Sequence, residues 1–270
     1  MRANAKIEGF TILAILTGSL AGGMLADRSI LLGMIVCILI YLLALTVSLS
    51  IPKGPRNADI RYLPETAQFF KDTAKLFRIR KTRFSLVGTG SFWMCSAVLR
   101  LALIAWVPVH LSIHSLDSIS TLTAVTGIGI VFGALTAPRL VPAAKYYKAY
   151  LFGIAMAAAM LMFPFVYHTA VTVLLLLFIG FAGGVFIVPM NSALQAEGHK
   201  AVGAGKTIAV QNMIENALMM SGVGVYTGVS KLGVSTDASI LGMTAVLLLM
   251  VAYLAAEVRR LRRERRSEAE

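Results

Sequence analysis

The chain is mostly long apolar runs, cut at intervals by short polar segments. Eight runs are long enough to be membrane helices, at about 9–26, 29–50, 84–109, 119–138, 149–167, 170–192, 207–230 and 238–256. An apolar helix of about 20 residues crosses the hydrocarbon core of a bilayer. In lipid every backbone N–H and C=O must be satisfied inside the protein, so runs of this kind are helices. The pattern therefore predicts an all-α membrane protein of about eight spans arranged 2 + 6. A polar, basic stretch of 33 residues, 51–83, divides the two groups. Within it, Pro52, Gly54, Pro55 and Pro64 break the start. Ala67 to Phe77 reads as a short amphipathic helix, with Phe69, Phe70 and Phe77 among Lys71, Asp72 and Lys75.

Composition agrees with the pattern. Hydrophobic residues make up 57% and charged residues 14%, and mean hydropathy is +0.78. A soluble domain carries about 25% charged residues, so this chain has too little polar surface to live in water. The first apolar run is long and lacks a typical cleavage site, so no cleavable signal peptide is expected. Cys37 and Cys95 both lie inside apolar runs, which speaks against a disulfide or a metal site.

The net charge of +12 changes meaning once it is distributed over the spans. With the amino terminus in the cytoplasm, the cytoplasmic segments hold 22 of the 25 Lys and Arg residues. The outer segments hold only Arg28 and Lys231, and Arg100 is the remaining one. This is a strong positive-inside signal, and it places both termini in the cytoplasm of a multi-pass membrane protein. The basic tail from Arg259 to Arg266 suits anionic inner-leaflet lipid. The charge thus orients the chain, and nucleic acid is not the expected partner.

A long basic loop ahead of a six-span bundle is the arrangement found at the centre of a six-plus-six transporter. On that reading residues 1–50 are the last two helices of an amino-terminal bundle and 51–83 the cytoplasmic central loop. Residues 84–256 are the carboxy-terminal bundle and 257–270 a cytoplasmic tail, and four spans of the pattern are not present before Met1. Glycine pairs four apart, Gly18 and Gly22, Gly129 and Gly133, Gly180 and Gly184, Gly224 and Gly228, predict close helix–helix approach.

Two ionisable residues fall in the middle of spans. Arg100 is the only charge between Phe84 and Val109. An Arg near the bilayer centre costs about 2.5–3.5 kcal/mol on insertion scales, and such residues face a cavity or a partner. Glu215 belongs to Gln211-Asn212-Met213-Ile214-Glu215-Asn216, in which Gln211 and Glu215, and Asn212 and Asn216, are i,i+4 neighbours. This polar patch is expected to avoid lipid, either as an interhelical hydrogen-bond cluster or as part of a substrate cavity or gate. For Arg100 the alternatives are a structural ion pair and a substrate-facing group. Glu8 lies at the cytoplasmic edge of the first span.

Other motifs carry less. Gly203-Ala204-Gly205-Lys206-Thr207 imitates the end of a P-loop, but Lys200 stands where that pattern needs glycine. His110 and His114 have helical spacing without a third ligand nearby, so no metal or other cofactor is expected. None of the four histidines has an Asp five residues on, so the His-x-x-x-x-Asp motif of membrane acyltransferases is absent and an enzyme is not expected.

Several stretches resemble the bacterial lysophospholipid transporter family of the major facilitator superfamily. They are Thr82 to Thr89 with Phe92-Trp93, Leu99-Arg100 and Trp106-Val107-Pro108-Val109, then Val202 to Asn212 with Glu215-Asn216. Arg2-Ala3-Asn4 with Glu8 and Gly18 to Gly23, and Val188 to Gln195, complete the match. It runs from the family's fifth span to its twelfth; the first four spans are absent. The resemblance implies the major facilitator fold and inward movement of lysophospholipid, chiefly 2-acyl-glycerophosphoethanolamine, across the bacterial inner membrane. It implies a functional link to a cytoplasmic acyltransferase/acyl-ACP synthetase that restores the second chain. A guanidinium suits a phosphate by bidentate hydrogen bonding, and a carboxylate suits an ammonium. Arg100 is therefore expected to hold or gate the head group from outside, with Gln211, Asn212, Glu215 and Asn216 deeper in the cavity and Glu8 at a cytoplasmic gate. A facilitator for another amphiphile or drug, and a non-transporting fragment, are the alternatives. The lone central carboxylate favours facilitated diffusion over proton coupling.

Overall fold

The computed structural model describes residues 28–50 and 62–267, with a few positions between 14 and 25. Helices α1 (Ile30–Leu49), α2 (Tyr62–Arg78), α3 (Arg80–Leu111), α4 (Leu116–Leu140) and α5 (Tyr150–Met162) are followed by α6 (Thr169–Val202), α7 (Ala204–Lys231) and α8 (Thr236–Ser267). Short 3-10 turns, Ala143–Ala149 and Phe163–Phe165, extend α5 at both ends. Among the described residues six helices are long and apolar enough to cross a membrane. The expected first span and Glu8 lie outside the described residues.

Helix α7, the expected span at 207–230, is not one of those six. Gln211, Asn212, Glu215, Asn216 and its glycines and serines hold its average apolarity down. Its 28 residues still make a helix about 42 Å long, and it runs beside α3 in the same direction. A side chain on Gly90 would strike Ile214 and Leu218, and one on Gly222 would strike Met94 and Val98.

The basic segments are more helical than the pattern suggested. Helix α2 begins at Tyr62, five residues before the expected start, and α3 begins at Arg80, inside the predicted loop. Helix α8 carries the basic tail on to Ser267. Its Glu, Arg and Leu are strong helix formers, and no breaker interrupts them. Between α6 and α7 a single residue, Gly203, makes the turn at φ +93, a left-handed conformation that glycine adopts without steric cost. The P-loop look-alike is this turn.

The bundle closes around Trp106, Phe163, Phe186, Met160 and Leu176, all essentially inaccessible. Helices α4 and α6 lie backbone to backbone. Any side chain on Gly129 or Gly133 would hit the Leu177 and Phe181 backbone, and one on Gly180 or Gly184 would hit Thr126 and Ile130. Close approach thus holds at these two glycine pairs. It does not hold at Gly18, Gly22, Gly224 or Gly228, where nothing lies within 4 Å, because no described helix packs on those faces. Helix α1 buries none of its residues.

Candidate functional site

Helices α3, α4, α5 and α6 line a small, partly open cleft. Arg100 lines it together with Phe92, Cys95, Leu99, Met156 and Met160. The contacts of Gly183 with Phe92 and Met156, and of Gly180 with Thr126 and Ile130, set the levels. Phe92, Ile130 and Met156 lie at the end nearer the basic ends of the helices, and Arg100, Leu103 and Thr123 lie at the other. Phe92 to Leu103 on α3 gives a length of about 16 Å. Arg100 is half-buried. Among the described residues it makes no ion pair and no side-chain hydrogen bond. Its guanidinium is a cation held over an apolar cleft with its donors free. On the α4 wall the Thr126 hydroxyl is buried and has no hydrogen-bond partner among the described residues.

The α7 residues form a second polar station. Gln211 and Glu215 are buried, each 7% exposed. The Gln211 Nε2 donates to Glu215 Oε1 at 2.8 Å and to Asn191 Oδ1 on α6 at 2.9 Å. Asn212 and Asn216 turn to the exposed side, where Asn216 Nδ2 donates to the Asn212 carbonyl at 2.7 Å. The four residues thus split between two faces, because i,i+4 pairs one residue apart point about 100° away from each other. None of them lines the Arg100 cleft. In the α3–α7 alignment Glu215 lies level with Thr89, so the two stations are about 16 Å apart along the bundle. The structure does not gather the expected site into one pocket; it gives two stations on one axis.

Sequence reasoning quoted Asn191 only as part of a motif and missed the rest of the partners. Lys206 meets Asp72 at 3.0 Å and Glu65 at 3.9 Å. Lys75 Nζ donates to the Ala201 carbonyl at 2.7 Å. Lys81 pairs with Glu197 at 2.8 Å and Arg83 with Glu257 at 3.4 Å. These contacts tie α2 and the basic ends of α3, α6, α7 and α8 together. At the opposite end Trp106 Nε1 donates to Asp237 Oδ1 at 3.0 Å, and His110 Nε2 lies 3.3 Å from Asp237 Oδ2. His110 stacks on Trp106 at 4.4 Å, so it belongs to a clasp between α3 and α8. Among the described residues no His, Cys, Asp and Glu cluster could hold a metal.

A bundle of long apolar helices whose charged side chains, Arg100 and Glu215 apart, gather at the helix ends defines a polytopic membrane protein. A profile of the Major Facilitator Superfamily matches residues 1–223, and the chain belongs to that superfamily. It is similar to the "Lysophospholipid transporter LplT" of Klebsiella pneumoniae subsp. pneumoniae and of Cronobacter sakazakii, with 40% identity to each over 94% of this chain and 65% of the relative. The protein of the same name from Escherichia coli O1:K1 / APEC is 37% identical over the same shares. The chain thus spans less than two thirds of the length of these relatives. No solved structure gives a significant match.

Proposed function

We propose that the chain moves lysophospholipid, chiefly 2-acyl-glycerophosphoethanolamine, from the outer to the inner face of the bacterial inner membrane. The observation that carries this reading is Arg100, a guanidinium over an apolar cleft, unpaired among the described residues. It matches the two halves of the substrate, a phosphate that accepts bidentate hydrogen bonds and an acyl chain. The similarity to lysophospholipid transporters supports it. In this reading Arg100 takes the phosphate from the outer side and the α7 station, Gln211 and Glu215 with Asn191, meets the ammonium further in. Asn212 and Asn216 face the path between bundles, and Glu8 sits at the inner gate. Residues 1–50 would belong to one bundle and 84–256 to the other, with movement by rocking of the two. Reacylation by a cytoplasmic acyltransferase/acyl-ACP synthetase would consume the product.

Uptake of labelled lysophosphatidylethanolamine by spheroplasts making the chain tests this, with diacyl lipid as control. Selective uptake above an empty-vector background is expected. Equal entry of both lipids, or none with the chain confirmed in the membrane, overturns it for this chain.

A further inference from the structure

We propose that α2 is a membrane-surface helix whose outer face binds anionic phospholipid in the leaflet at the basic ends of the bundle. Leu63 and Phe70 enter the acyl border, and Lys71 and Arg78 meet the phosphates. This goes beyond the transport reading and does not rest on it. Helix α2 has two apolar faces. The inner one is accounted for: Leu76 is fully buried with Leu86, Leu194 and Val210, and Phe69 and Phe77 pack on the same cluster. The outer one has no such cover. Leu63, Ala67, Phe70 and Ala74 are all exposed, Leu63 at 86% and Phe70 at 60%. Their spacing of four, three and four residues sets them in one stripe along the helix.

The charges divide between the two faces. Both acids of α2, Glu65 and Asp72, pair with Lys206 on α7, and Lys75 turns to the Ala201 carbonyl. Lys71 and Arg78 are exposed and make no ion pair among the described residues. They flank the apolar stripe, about 60–80° round the helix from Leu63. An apolar stripe edged by cations and free of acids is the surface of an interfacial helix. The depth of α2 agrees. Its inner cluster reaches Leu86 on α3 and Ile214 on α7, both inside the apolar runs, so α2 lies beside the ends of the spans and not beneath them. Only Ile79 separates it from α3, which holds it there. The segment leading into α2, 51–61, carries Lys53, Arg56 and Arg61 against one acid, Asp59. It cannot neutralise Lys71 and Arg78, whereas anionic lipid offers them negative charge and offers the stripe an apolar layer.

The test uses the full chain in lipid vesicles. A Cys37→Ser background leaves only buried Cys95, and Phe70→Cys or Ala74→Cys then carries a fluorophore. The quencher is phosphatidylglycerol or phosphatidylcholine with a nitroxide near the head of one acyl chain. Both lipids are expected to quench at both positions, with phosphatidylglycerol preferred about fivefold or more, the worth of one surface cation. Lys71→Gln together with Arg78→Gln should bring that preference close to one and leave quenching by phosphatidylcholine in place. Quenching by iodide from the water and not by lipid, or by neither, means that water or protein covers the stripe and overturns the proposal. Equal quenching by the two lipids, or a preference that survives loss of both cations, overturns it as well.

Discussion

Arg100 and Glu215 are both intramembrane charges, yet their surroundings differ. Glu215 is hydrogen-bonded to Gln211, which also binds Asn191, so its charge is built into the packing. Arg100 has no such partner among the described residues, so its donors are available to something that enters. The two therefore respond differently to substitution. Arg100→Ala should lower lysophospholipid uptake tenfold or more with little change in thermal stability. Arg100→Lys should recover part of it, since a point charge attracts phosphate but lacks the bidentate fork. Uptake normalised to the amount of protein in the membrane reads both; equal loss in Lys and Ala would show that geometry and not charge matters. Gln211→Ala should instead destabilise the chain by about 1–3 kcal/mol, because buried Glu215 loses a donor, and a melting curve in detergent would show it.

At the scale of elements, two kinds of contact hold the bundle: glycine-mediated approach inside it and ion pairs at its basic end. Gly180→Leu should push α4 and α6 apart, an overpacking that costs about 1–3 kcal/mol and also opens one wall of the cleft. Detergent melting together with cross-linking between the two helices checks it. The ion pairs dock α2. Burial raises the Asp72 carboxyl, but hydrogen bonds from Lys206 and Gln68 and the charges of Lys206 and Lys75 outweigh it and hold the group below 3.8. Hydrogen bonding to Asp72, with its charge and that of Glu65, raises Lys206 above 10.5 against the opposing pull of desolvation. A lowered acid stabilises above its ordinary value and loses that support as pH falls through its folded value. A raised base stabilises below its ordinary value and loses support as pH rises through its folded value. Between those limits docking should not vary with pH, and it should loosen below pH 3.8, above pH 10.5 or in Lys206→Glu. Hydrogen exchange of α2 measures it; loosening near neutrality would contradict the pairing. Six of the eight expected spans were legible because long apolar runs need no tertiary information, and Gly129 and Gly180 were legible because their spacing is local. Lys206 with Asp72, Trp106 with Asp237, and the unpartnered Thr126 hydroxyl were not. Each depends on residues brought together from separate helices, and nothing in a single stretch of chain encodes the pairing.

Over the whole molecule the polar groups sort along one axis. The α2 clasp and the pairs Lys81–Glu197 and Arg83–Glu257 lie at one end, and the Trp106–Asp237–His110 clasp at the other. Arg100 and Gln211–Glu215 stand between them. In a membrane this order has a direction, because Lys and Arg are retained on the cytoplasmic side and are drawn to its anionic lipid. A reporter active only outside should therefore work when fused after Ile113 or Val234, and a reporter active only inside should work at residue 270. The opposite result would invert the proposed path and put Arg100 on the inner side of the α7 station. The exposed face of α7 adds an independent check. Asn212 and Asn216 stand exposed on it, and polar groups of this kind are not stable against lipid tails. If that face borders a water-filled path, Asn216→Cys should react with a membrane-impermeant maleimide, while buried Cys95 should not. Reaction at Asn216→Cys that lysophosphatidylethanolamine slows would place the substrate on the same path, between the station at Glu215 and the cleft at Arg100. A position that never reacts would mean that another helix covers the face.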